Sequence, residues 1–595
     1  MTYLDKIQKP SDIKKFSIEK LQILSDEIRQ AIIHRSIAYG GHVASNLSVV
    51  ELTIALHYVF NSPHDKIVFD CSHQCYTHKL LTGRFKGFIF PEYYDSVAGY
   101  MNPEESEHDL FEIGHTSTSL SLVSGLVIGR ELKHENENII AIIGDGSLGG
   151  GQALEGLNFI GGEIKSNCIV IINDNEFSIA ENHGGIYENL KLLRSTNGEA
   201  ECNFFRAIGF DYYYVPEGNK IAPLIEIFQK IKDVDHPVVI HVHTTKGKGY
   251  GAAETDPEKW HYYSPALEDI IKEEYYAEIT RNVLRKELAV KNDLVYIAAA
   301  TPALLPVSMG FSLQEREKMG MNFQDVGIAE EHAVAMASAI AKQGCKPIFS
   351  VLATFLQRSF DQLLQDLCIN NNPVLLLVWN SGVYGLNDKT HIGHFDIQEL
   401  AHIPNLLYLV PSCYEEYMMM LQYGLSETKH PIAIRVPSNG VYHAKRSINI
   451  NFDMLEYEIV NQGEEVAIIA LGAMFQLGED VIRLYHKKTG KQLTLINPRY
   501  ASDIDSVTLE KLKENHKLVV TLEDGIINGG WGQLIASYYG TSDIKVKNYG
   551  LSKQFADRYS LYDILYENHL IDRLIVKDII HLLGTNYKSN TTDDN

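Results

Sequence analysis

The stretch Ala141–Phe159, AIIGDGSLGGGQALEGLNF, decides how the first part of the chain is interpreted. It lies between an apolar run and a segment of helical character, and its spacing matches GxGxxG at Gly144, Gly146 and Gly149. That spacing is the fingerprint of a dinucleotide-binding fold, in which bare backbone amides approach a pyrophosphate. Asp145 stands between the first two glycines, however, and its carboxylate would repel that group. A dinucleotide site alone therefore does not explain this stretch.

A divalent cation between the carboxylate of Asp145 and a diphosphate would remove the repulsion. We expect a second oxygen ligand at the end of the neighbouring strand, and the stretch IINDNEFSI offers Asn173, Asp174, Asn175 and Glu176 there, of which Asn175 is paired with Asp145 below. The two residues are separated by one helix and one strand. Alternatively, Asp145 only caps a helix and the Asn-rich stretch only forms a turn. Their separation favours a diphosphate bridged by a metal ion.

The composition of the chain narrows the class of protein. The chain has 595 residues, 45% of them hydrophobic and 22% charged, which is ordinary for a globular protein of several domains. Its net charge of −23 argues against nonspecific binding to nucleic acid or to an anionic membrane. No apolar run approaches the roughly 20 residues of a membrane helix, the amino-terminal stretch lacks a signal-peptide core, and the seven cysteines are scattered. We expect a soluble cytoplasmic protein.

The stretch CSHQCYTH raises a zinc-binding alternative, because Cys71, His73, Cys75 and His78 lie close together in it. Its spacing lacks the paired CxxC and the distant second ligand pair of common zinc sites. We therefore favour a loop that follows the predicted strand KIVFDCS.

Short apolar runs rich in β-branched residues alternate with helical segments, which predicts βαβ units and parallel sheets. The runs form three series: IIAIIGDGS, NCIVIINDN and PVVIHVHTT; then LVYIAAATPALL, KPIFSVLATF, PVLLLVWNSG and HPIAIRVPS; then EEVAIIALGA, QLTLINPRY and HKLVVTLED. Breaks in the pattern separate the series. We predict three α/β domains, each with a mainly parallel sheet, at 1–275, 276–450 and 451–595.

Seven stretches resemble the 1-deoxy-D-xylulose-5-phosphate synthase family of transketolase-type enzymes. In chain order they are GHVASNLSVVELTIALHYVFNSPHDKIVFD, HKLLTGR, GHTSTSLS, NDNEFSIAEN, TTKGKGY, GIAEEHAV and TFLQRSFDQLLQD. The resemblance implies a transketolase-like homodimer that uses thiamine diphosphate and Mg²⁺. It implies an enzyme that decarboxylates pyruvate and joins the two-carbon unit to D-glyceraldehyde 3-phosphate, which gives 1-deoxy-D-xylulose 5-phosphate, a precursor of isoprenoids and thiamine.

The resemblance also implies roles for individual residues. The metal ligands would be Asp145, Asn175 and the backbone carbonyl of Phe177. The residues that contact the cofactor would be His73, His115, Thr116, Ser117, Gly146, Ser147, Asn175, Lys246, Glu330, Phe355 and Arg358. The catalytic residues would be Glu330, His42, His261 and His391. Glu330 would share a proton with the pyrimidine ring of the cofactor, and the histidines would transfer protons near pH 7.

Two stretches depart from the family pattern. Where the family has RAGLVGADGPTH and YPRG, this chain has NSGVYGLNDKTH and VPSNG. Asn380 and Ser438 therefore stand where the resemblance places arginines that hold the phosphate of the acceptor, and Asn387 replaces an aspartate. Lys389 or Arg435 could replace the lost positive charge, although Arg435 could also be structural.

Two further positions and the length of one segment also differ from the family pattern. Leu352 and Phe360 stand in place of tyrosines, and the segment that follows Gly185 is shortened.

Other functions remain open. One is a paralogue of the same fold that transfers the two-carbon unit to a different, unphosphorylated carbonyl acceptor. Another is a relative that binds but does not catalyse, against which the intact Glu330, Asp145 and Asn175 argue. A nicotinamide-dinucleotide enzyme is the least favoured, because Asp145 pairs with Asn175 at the spacing described above.

Overall fold

The computed structural model describes residues 3–265, 274–301, 310–384, 388–438 and 440–584. The chain divides into two compact units. The first comprises Met1–Lys272 with the short segments Ala299–Ala303 and Asp325–Ala329, and the second comprises the remainder. In the described parts of the chain, no helix is both long enough and apolar enough to cross a lipid bilayer.

The first unit is built on one parallel sheet whose strand order is β1-β2-β3-β5-β4. Its strands are β1 (Lys66–Phe69), β2 (Ile139–Gly144), β3 (Cys168–Asp174), β4 (Asp211–Val215) and β5 (Pro237–His243). The α-helices around it are Ile18–Tyr39, Ala44–Ser48, Val50–Val59, Tyr76–Lys79, Lys86–Ile89, Ser119–Lys133, Gly151–Glu163, Gly185–Ser195, Phe204–Ala207, Ile221–Ile231 and Gly251–Thr255.

Both faces of this sheet are buried. Ile140 and Ile142 of β2 pack into one hydrophobic cluster, whereas Ile139, Ala141 and Ile143 pack into another. Successive side chains of a strand point to opposite faces, so a strand covered on both sides has a continuous apolar sequence. This explains why the run before Gly144 contains no polar residue.

The second unit contains two sheets. One has the order β10-β11-β9-β8-β6-β7, and its strands from β10 to β6 are parallel. Its strands are β6 (Leu294–Ala298), β7 (Phe323–Asp325), β8 (Lys346–Leu352), β9 (Leu375–Trp379), β10 (Leu407–Leu409) and β11 (Ile432–Arg435). Its α-helices are Tyr276–Leu288, Leu313–Met319, Glu330–Lys342, Ala353–Leu356, Phe360–Gln362, Asp396–Leu400 and Tyr414–Ser426.

The other sheet of the second unit has the order β12-β14-β13-β15-β16, in which only the pairing of β12 with β14 is antiparallel. Its strands are β12 (Glu458–Asn461), β13 (Glu465–Ala470), β14 (Thr494–Asn497), β15 (His516–Ile526) and β16 (Lys545–Leu551). Its α-helices are Phe475–Thr489, Ser506–Leu512, Trp531–Tyr539, Leu561–Glu567 and Asp572–Leu582.

The predicted α/β fold with mainly parallel sheets is confirmed, and every apolar run named above contributes to a strand. The strands that those runs did not include are β4, β7, β10, β12 and β16, and all five lie at sheet edges. An edge strand is less completely covered than a central one and does not need a continuous apolar sequence. The domain boundaries at 275 and 450 remain a prediction.

Candidate active site

Asp145 and Asn175 lie beside each other at the carboxyl edge of the first sheet. Gly144 of β2 pairs with Asn173 of β3, so the residues that follow both strands meet there. The backbone N–H of Asn175 donates to Oδ2 of Asp145 at 3.2 Å, and that of Gly146 donates to Oδ1 at 2.9 Å. The predicted closeness of Asp145 and Asn175 is therefore present in the fold.

The carboxyl group of Asp145 is buried without a cation in direct contact. Burial and the neighbouring Asp174 raise its pKa well above the usual value. A metal ion at this carboxylate would offset both effects. Carboxylate, amide and backbone carbonyl oxygens, which Asp145, Asn175 and Phe177 could supply, are ligands that suit Mg²⁺.

The glycine turn before helix Gly151–Glu163 is closely covered by the segment that follows β3. A Cβ atom at Gly146 would lie 2.9 Å from the side chain of Ser178, and one at Gly149 would lie 2.7 Å from the hydroxyl of Tyr187. Gly146, Ser178, Tyr187 and Asn182 line a small pocket here, and the buried Nδ2 of Asn182 has no hydrogen-bond partner. The pocket is also lined by Glu181 and Asp325, so the donor of Asn182 alone does not make it a site for an anion.

Lys246 contributes a positive charge near Asp145. Its side chain is buried, its ammonium donates to the carbonyl of Ser178, and its Nζ lies 3.4 Å from Nδ1 of His261. Burial lowers the pKa of Lys246 to about 8, although the nearby Asp145 opposes this shift. Lys246 can therefore act as a point charge toward an anion at neutral pH.

Three of the predicted histidines form one cluster. The ring centroids of His42 and His73 are 5.0 Å apart, those of His42 and His261 are 5.5 Å apart, and those of His73 and His261 are 5.6 Å apart. Desolvation, Lys246 and the other two imidazoles hold the pKa of His261 well below its usual value. His261 is therefore neutral near pH 7 and can accept a proton.

Two tyrosines that the sequence analysis did not single out flank this cluster. The rings of Tyr100 and Tyr262 lie 5.6 and 5.1 Å from that of His42. No pattern in their own stretches marked them, because they reach His42 from distant parts of the chain. His115 lies half-buried on the loop before helix Ser119–Lys133.

A buried aspartate fixes the loop that carries Thr116 and Ser117. Asp70, just after β1, accepts hydrogen bonds from the backbone N–H groups of Ser117 at 2.8 Å and Ser119 at 3.0 Å. The hydroxyl of Ser117 in turn donates to the carbonyl of Ser147 at 2.9 Å. The loop is thereby tied to the glycine turn, and Asp70 is a positioning residue that the sequence analysis missed.

Asp174, beside Asn175, has two partners, His241 and Arg194, that the sequence analysis did not indicate. Asp174 accepts hydrogen bonds from Nε2 of His241 at 2.7 Å and from Arg194. Burial opposes ionisation, but His241 and Arg194 hold the pKa of Asp174 far below its usual value. His241, which interrupts the apolar stretch PVVIHV, was the available signal, because a buried imidazole needs a polar partner.

The stretch CSHQCYTH does not form a zinc site in the fold. His78 instead bonds to His57 at 2.9 Å and to Asp109 at 3.0 Å, while Sγ of Cys71 contacts the carbonyl of Gly114. Across the described residues, no group of three or more His, Cys, Asp or Glu side chains is arranged to hold a metal ion. The zinc alternative therefore gains no support.

In the second unit, Glu330 begins helix Glu330–Lys342 and is only 3% exposed. Nη1 of Arg358 lies 3.3 Å from its Oε2. Burial raises the pKa of Glu330 to about 7, although the charge of Arg358 opposes the shift. A carboxyl group in this state can both hold and release a proton near neutral pH.

Phe355 and His391 lie together in the same unit. Their ring centroids are 5.6 Å apart with the planes nearly perpendicular. Nδ1 of His391 lies 2.8 Å from the hydroxyl of Thr390, and the hydroxyl of Thr354 contacts the carbonyl of Thr390 at 3.4 Å. The loop that carries His391 is thus held at the carboxyl end of β8.

Arg435, one of the residues that could have replaced the lost positive charge, is held in ion pairs inside the fold. Arg435 is buried and donates to Asp396 through Nε at 2.7 Å and Nη2 at 3.1 Å, and to Asp524 through Nη1. It is therefore a structural ion-pair residue. Ser438 and Lys389 are half-buried, whereas Asn387 lies outside the described residues.

Three family models match consecutive parts of the chain. The model described as 1-deoxy-D-xylulose-5-phosphate synthase matches residues 4–202. The transketolase pyrimidine-binding domain matches residues 274–442, and the transketolase C-terminal domain matches residues 455–572.

Full-length relatives carry the same name. The 1-deoxy-D-xylulose-5-phosphate synthase of Clostridium beijerinckii is 36% identical over an alignment of 625 residues, which covers 97% of this chain and 100% of that protein. The enzyme of the same name from Clostridium acetobutylicum is 37% identical and covers 96% and 97%. Among solved structures, transketolase from Leishmania mexicana aligns with a TM-score of 0.44 and 15% identity over 97% of this chain and 98% of that one. From the identity and coverage of the two clostridial relatives, the chain belongs to the 1-deoxy-D-xylulose-5-phosphate synthase family of thiamine diphosphate-dependent transferases.

Proposed function

We propose that this chain decarboxylates pyruvate and joins the two-carbon unit to D-glyceraldehyde 3-phosphate, which yields 1-deoxy-D-xylulose 5-phosphate for isoprenoid synthesis. The observation that carries the proposal is the buried Glu330 beside Arg358, with its pKa raised to about 7. A carboxyl group in this state is suited to exchange a proton at neutral pH, and its place in the stretch GIAEEHAV favours a catalytic role over a role in binding alone. The reaction itself is inferred from the family to which the chain belongs.

The cofactor in this proposal is thiamine diphosphate with Mg²⁺. Asp145, Asn175 and the carbonyl of Phe177 hold the metal ion. The diphosphate is contacted by Gly146, Ser147, Lys246 and the loop of His115, Thr116 and Ser117. When bound, thiamine diphosphate supplies an electron sink for the carbon atom that loses carbon dioxide. The buried carboxyl group of Asp145 beside Asn175 and the buried ammonium group of Lys246 support this assignment.

The proposal assigns proton transfer during the reaction to side chains of this chain. Glu330 would donate a hydrogen bond to the pyrimidine nitrogen and Phe355 would pack on the pyrimidine ring, while Arg358 lowers the pKa of Glu330. His261, held neutral, accepts a proton, and His42 and His73 lie against it to pass or orient that proton. His391 protonates the oxygen of the acceptor aldehyde.

The assembly and the compartment are also proposals. We propose a homodimer in the cytoplasm, on the strength of the family resemblance and of the composition. Sedimentation or light scattering at micromolar concentration gives the test: a dimer is expected, and a monomer contradicts this part.

The function is tested by incubating the protein with thiamine diphosphate, Mg²⁺, pyruvate and D-glyceraldehyde 3-phosphate. Carbon dioxide release and the 1-deoxy-D-xylulose 5-phosphate signals in the NMR spectrum are the expected results. A protein that releases no carbon dioxide from pyruvate with any aldehyde would instead favour the non-catalytic alternative.

A further inference from the structure

A small pocket lies at the carboxyl edge of the second sheet, at the ends of β9, β10 and β11. Ser381, Arg435, Ser438 and Asp524 provide its polar lining. Phe355 and Arg358 follow β8 at the same edge of this sheet, and Nη1 of Arg358 lies 3.3 Å from Oε2 of Glu330. Ligands bind at the carboxyl ends of parallel strands, so this pocket is placed to receive an end of a substrate.

The pocket adjoins the loop that carries His391. Gly382 donates to the carbonyl of Gly393 at 2.8 Å, which closes the base of that loop. A Cβ at Gly382 would overlap Oδ2 of Asp524, so the carboxylate of Asp524 packs directly against the loop. The base of the loop that carries His391 therefore lies directly against the pocket.

The charge of the pocket is the decisive feature. Among the described residues that line the pocket, Arg435 is the one cation. Its Nε and Nη2 groups donate to Asp396, and its Nη1 group donates to Asp524. Two carboxylates against one guanidinium leave a net charge of about −1 at this group when both are ionised. A phosphate here would meet Asp524 and would find no guanidinium fork available for bidentate binding.

Uncharged hydroxyl groups meet no such penalty. The hydroxyls of Ser381 and Ser438 donate to the carbonyls of Val378 and Val436, so each can accept a hydrogen bond from an alcohol, as can the carboxylate of Asp524. Asn380 also brings no charge, and its left-handed backbone (φ 52°) and burial make the site suit an asparagine better than a long basic side chain.

We propose that this pocket recognises the distal end of the acceptor as an uncharged hydroxyl, so that unphosphorylated hydroxyaldehydes such as D-glyceraldehyde are acceptors as efficient as D-glyceraldehyde 3-phosphate. The proposal rests on the proposed function, because it assumes that the acceptor aldehyde lies beside His391. Asp524 and Ser438 are the specificity-determining residues.

The reaction with D-glyceraldehyde balances without a further reactant. The bond between C1 and C2 of pyruvate breaks and C1 leaves as carbon dioxide. A bond forms between C2 and the aldehyde carbon, and one proton from solution completes the new alcohol. The product is the unphosphorylated sugar 1-deoxy-D-xylulose.

The first test compares kcat/KM for the phosphorylated and unphosphorylated acceptor in the holoenzyme. We expect a ratio below tenfold in the parent. Ser438→Arg should raise this ratio at least tenfold, because the added guanidinium favours phosphate alone, and the neutral control Ser438→Gln should leave it within threefold. A parent ratio of tenfold or more overturns the proposal, as does an equal response to Arg and Gln.

The second test needs no turnover. Saturation-transfer NMR with glycerol 3-phosphate should give no signal with the parent or Ser438→Gln, and a signal with Ser438→Arg. Binding of this probe to the parent as strong as to Ser438→Arg overturns the proposal. Absence of carbon dioxide release with every acceptor contradicts the proposed function instead, and the probe experiment then decides the preference of the pocket by itself.

Discussion

Nη1 of Arg358 lies 3.3 Å from Oε2 of Glu330, and the pKa of that carboxyl group is nevertheless raised to about 7. Burial thus outweighs an adjacent positive charge. The contact is long for a charge-assisted hydrogen bond, which weakens the opposing effect of the guanidinium. Replacing Glu330 should therefore reduce turnover, and replacing Arg358 should shift the pH dependence of activity.

Glu330→Gln should bind thiamine diphosphate but lose turnover by about 10²- to 10⁴-fold, since an amide cannot exchange the proton. Cofactor affinity by calorimetry and carbon dioxide release from pyruvate are the two measurements. Glu331→Gln, one residue further along the same helix, is the control and should stay close to the parent. Turnover of Glu330→Gln within a few-fold of the parent would make Glu330 a structural residue.

Arg358→Met should move the alkaline limb of the activity profile to higher pH. In the proposed mechanism activity needs protonated Glu330, so it should fall as pH rises through the folded pKa of about 7. The charge of Arg358 lowers that pKa, so removing the charge raises it further. The profile of kcat/KM from pH 5 to 9 gives the midpoint, with Lys342→Met as control. A midpoint that is unchanged or moves down contradicts the electrostatic coupling.

Asp145→Asn should lose Mg²⁺-dependent binding of thiamine diphosphate while it stays folded. The pKa of Asp145 is raised in the folded protein, so its ionisation reduces stability as pH rises above its ordinary value. The amide keeps only one of the two backbone hydrogen bonds that the carboxylate accepts, which offsets this gain, so without ligands at pH 8 the variant should unfold at a temperature close to that of the parent. Mg²⁺ with thiamine diphosphate should raise the unfolding temperature of the parent and of the control variant Glu181→Gln, but not that of Asp145→Asn. A similar rise in Asp145→Asn would contradict the proposed metal bridge.

Asp70→Asn should loosen the loop that carries Thr116 and Ser117. Its carboxylate accepts two backbone hydrogen bonds, and an amide can replace only one of them. We expect a loss of about 1 to 3 kcal/mol in the free energy of unfolding. Hydrogen exchange of the Ser117 and Ser119 amides should accelerate, with the amides of β16 as internal reference. Unchanged exchange at both amides would show that Asp70 does not position the loop.

The sequence could predict elements whose neighbours impose a strong local pattern. The run before Gly144 is continuously apolar because β2 is covered on both faces, and the glycine spacing that follows marks a tight turn at the sheet edge. Edge strands such as β4 and β16 are less completely covered, so their sequences are mixed and were not recognised. Local pattern thus predicts central strands well and edge strands poorly.

The candidate site shows the same division between local and long-range information. The sequence indicated Asp145 and Asn175, because a carboxylate within a glycine turn and an Asn-rich strand end carry their chemistry in their own stretches. It did not indicate Asp70 or Tyr100, whose roles depend on contacts with residues far away in the chain.

By itself, the sequence determined the α/β fold class, the family and the identity of the groups that can bind a diphosphate or move a proton. Only the tertiary structure decided the state of those groups. Burial raises the pKa of Glu330 to about 7, the packing of His42 and Lys246 around His261 keeps that imidazole neutral, and two aspartates engage Arg435. The reason is that desolvation and charge pairing depend on which distant segments pack together, and no single stretch of sequence contains that information.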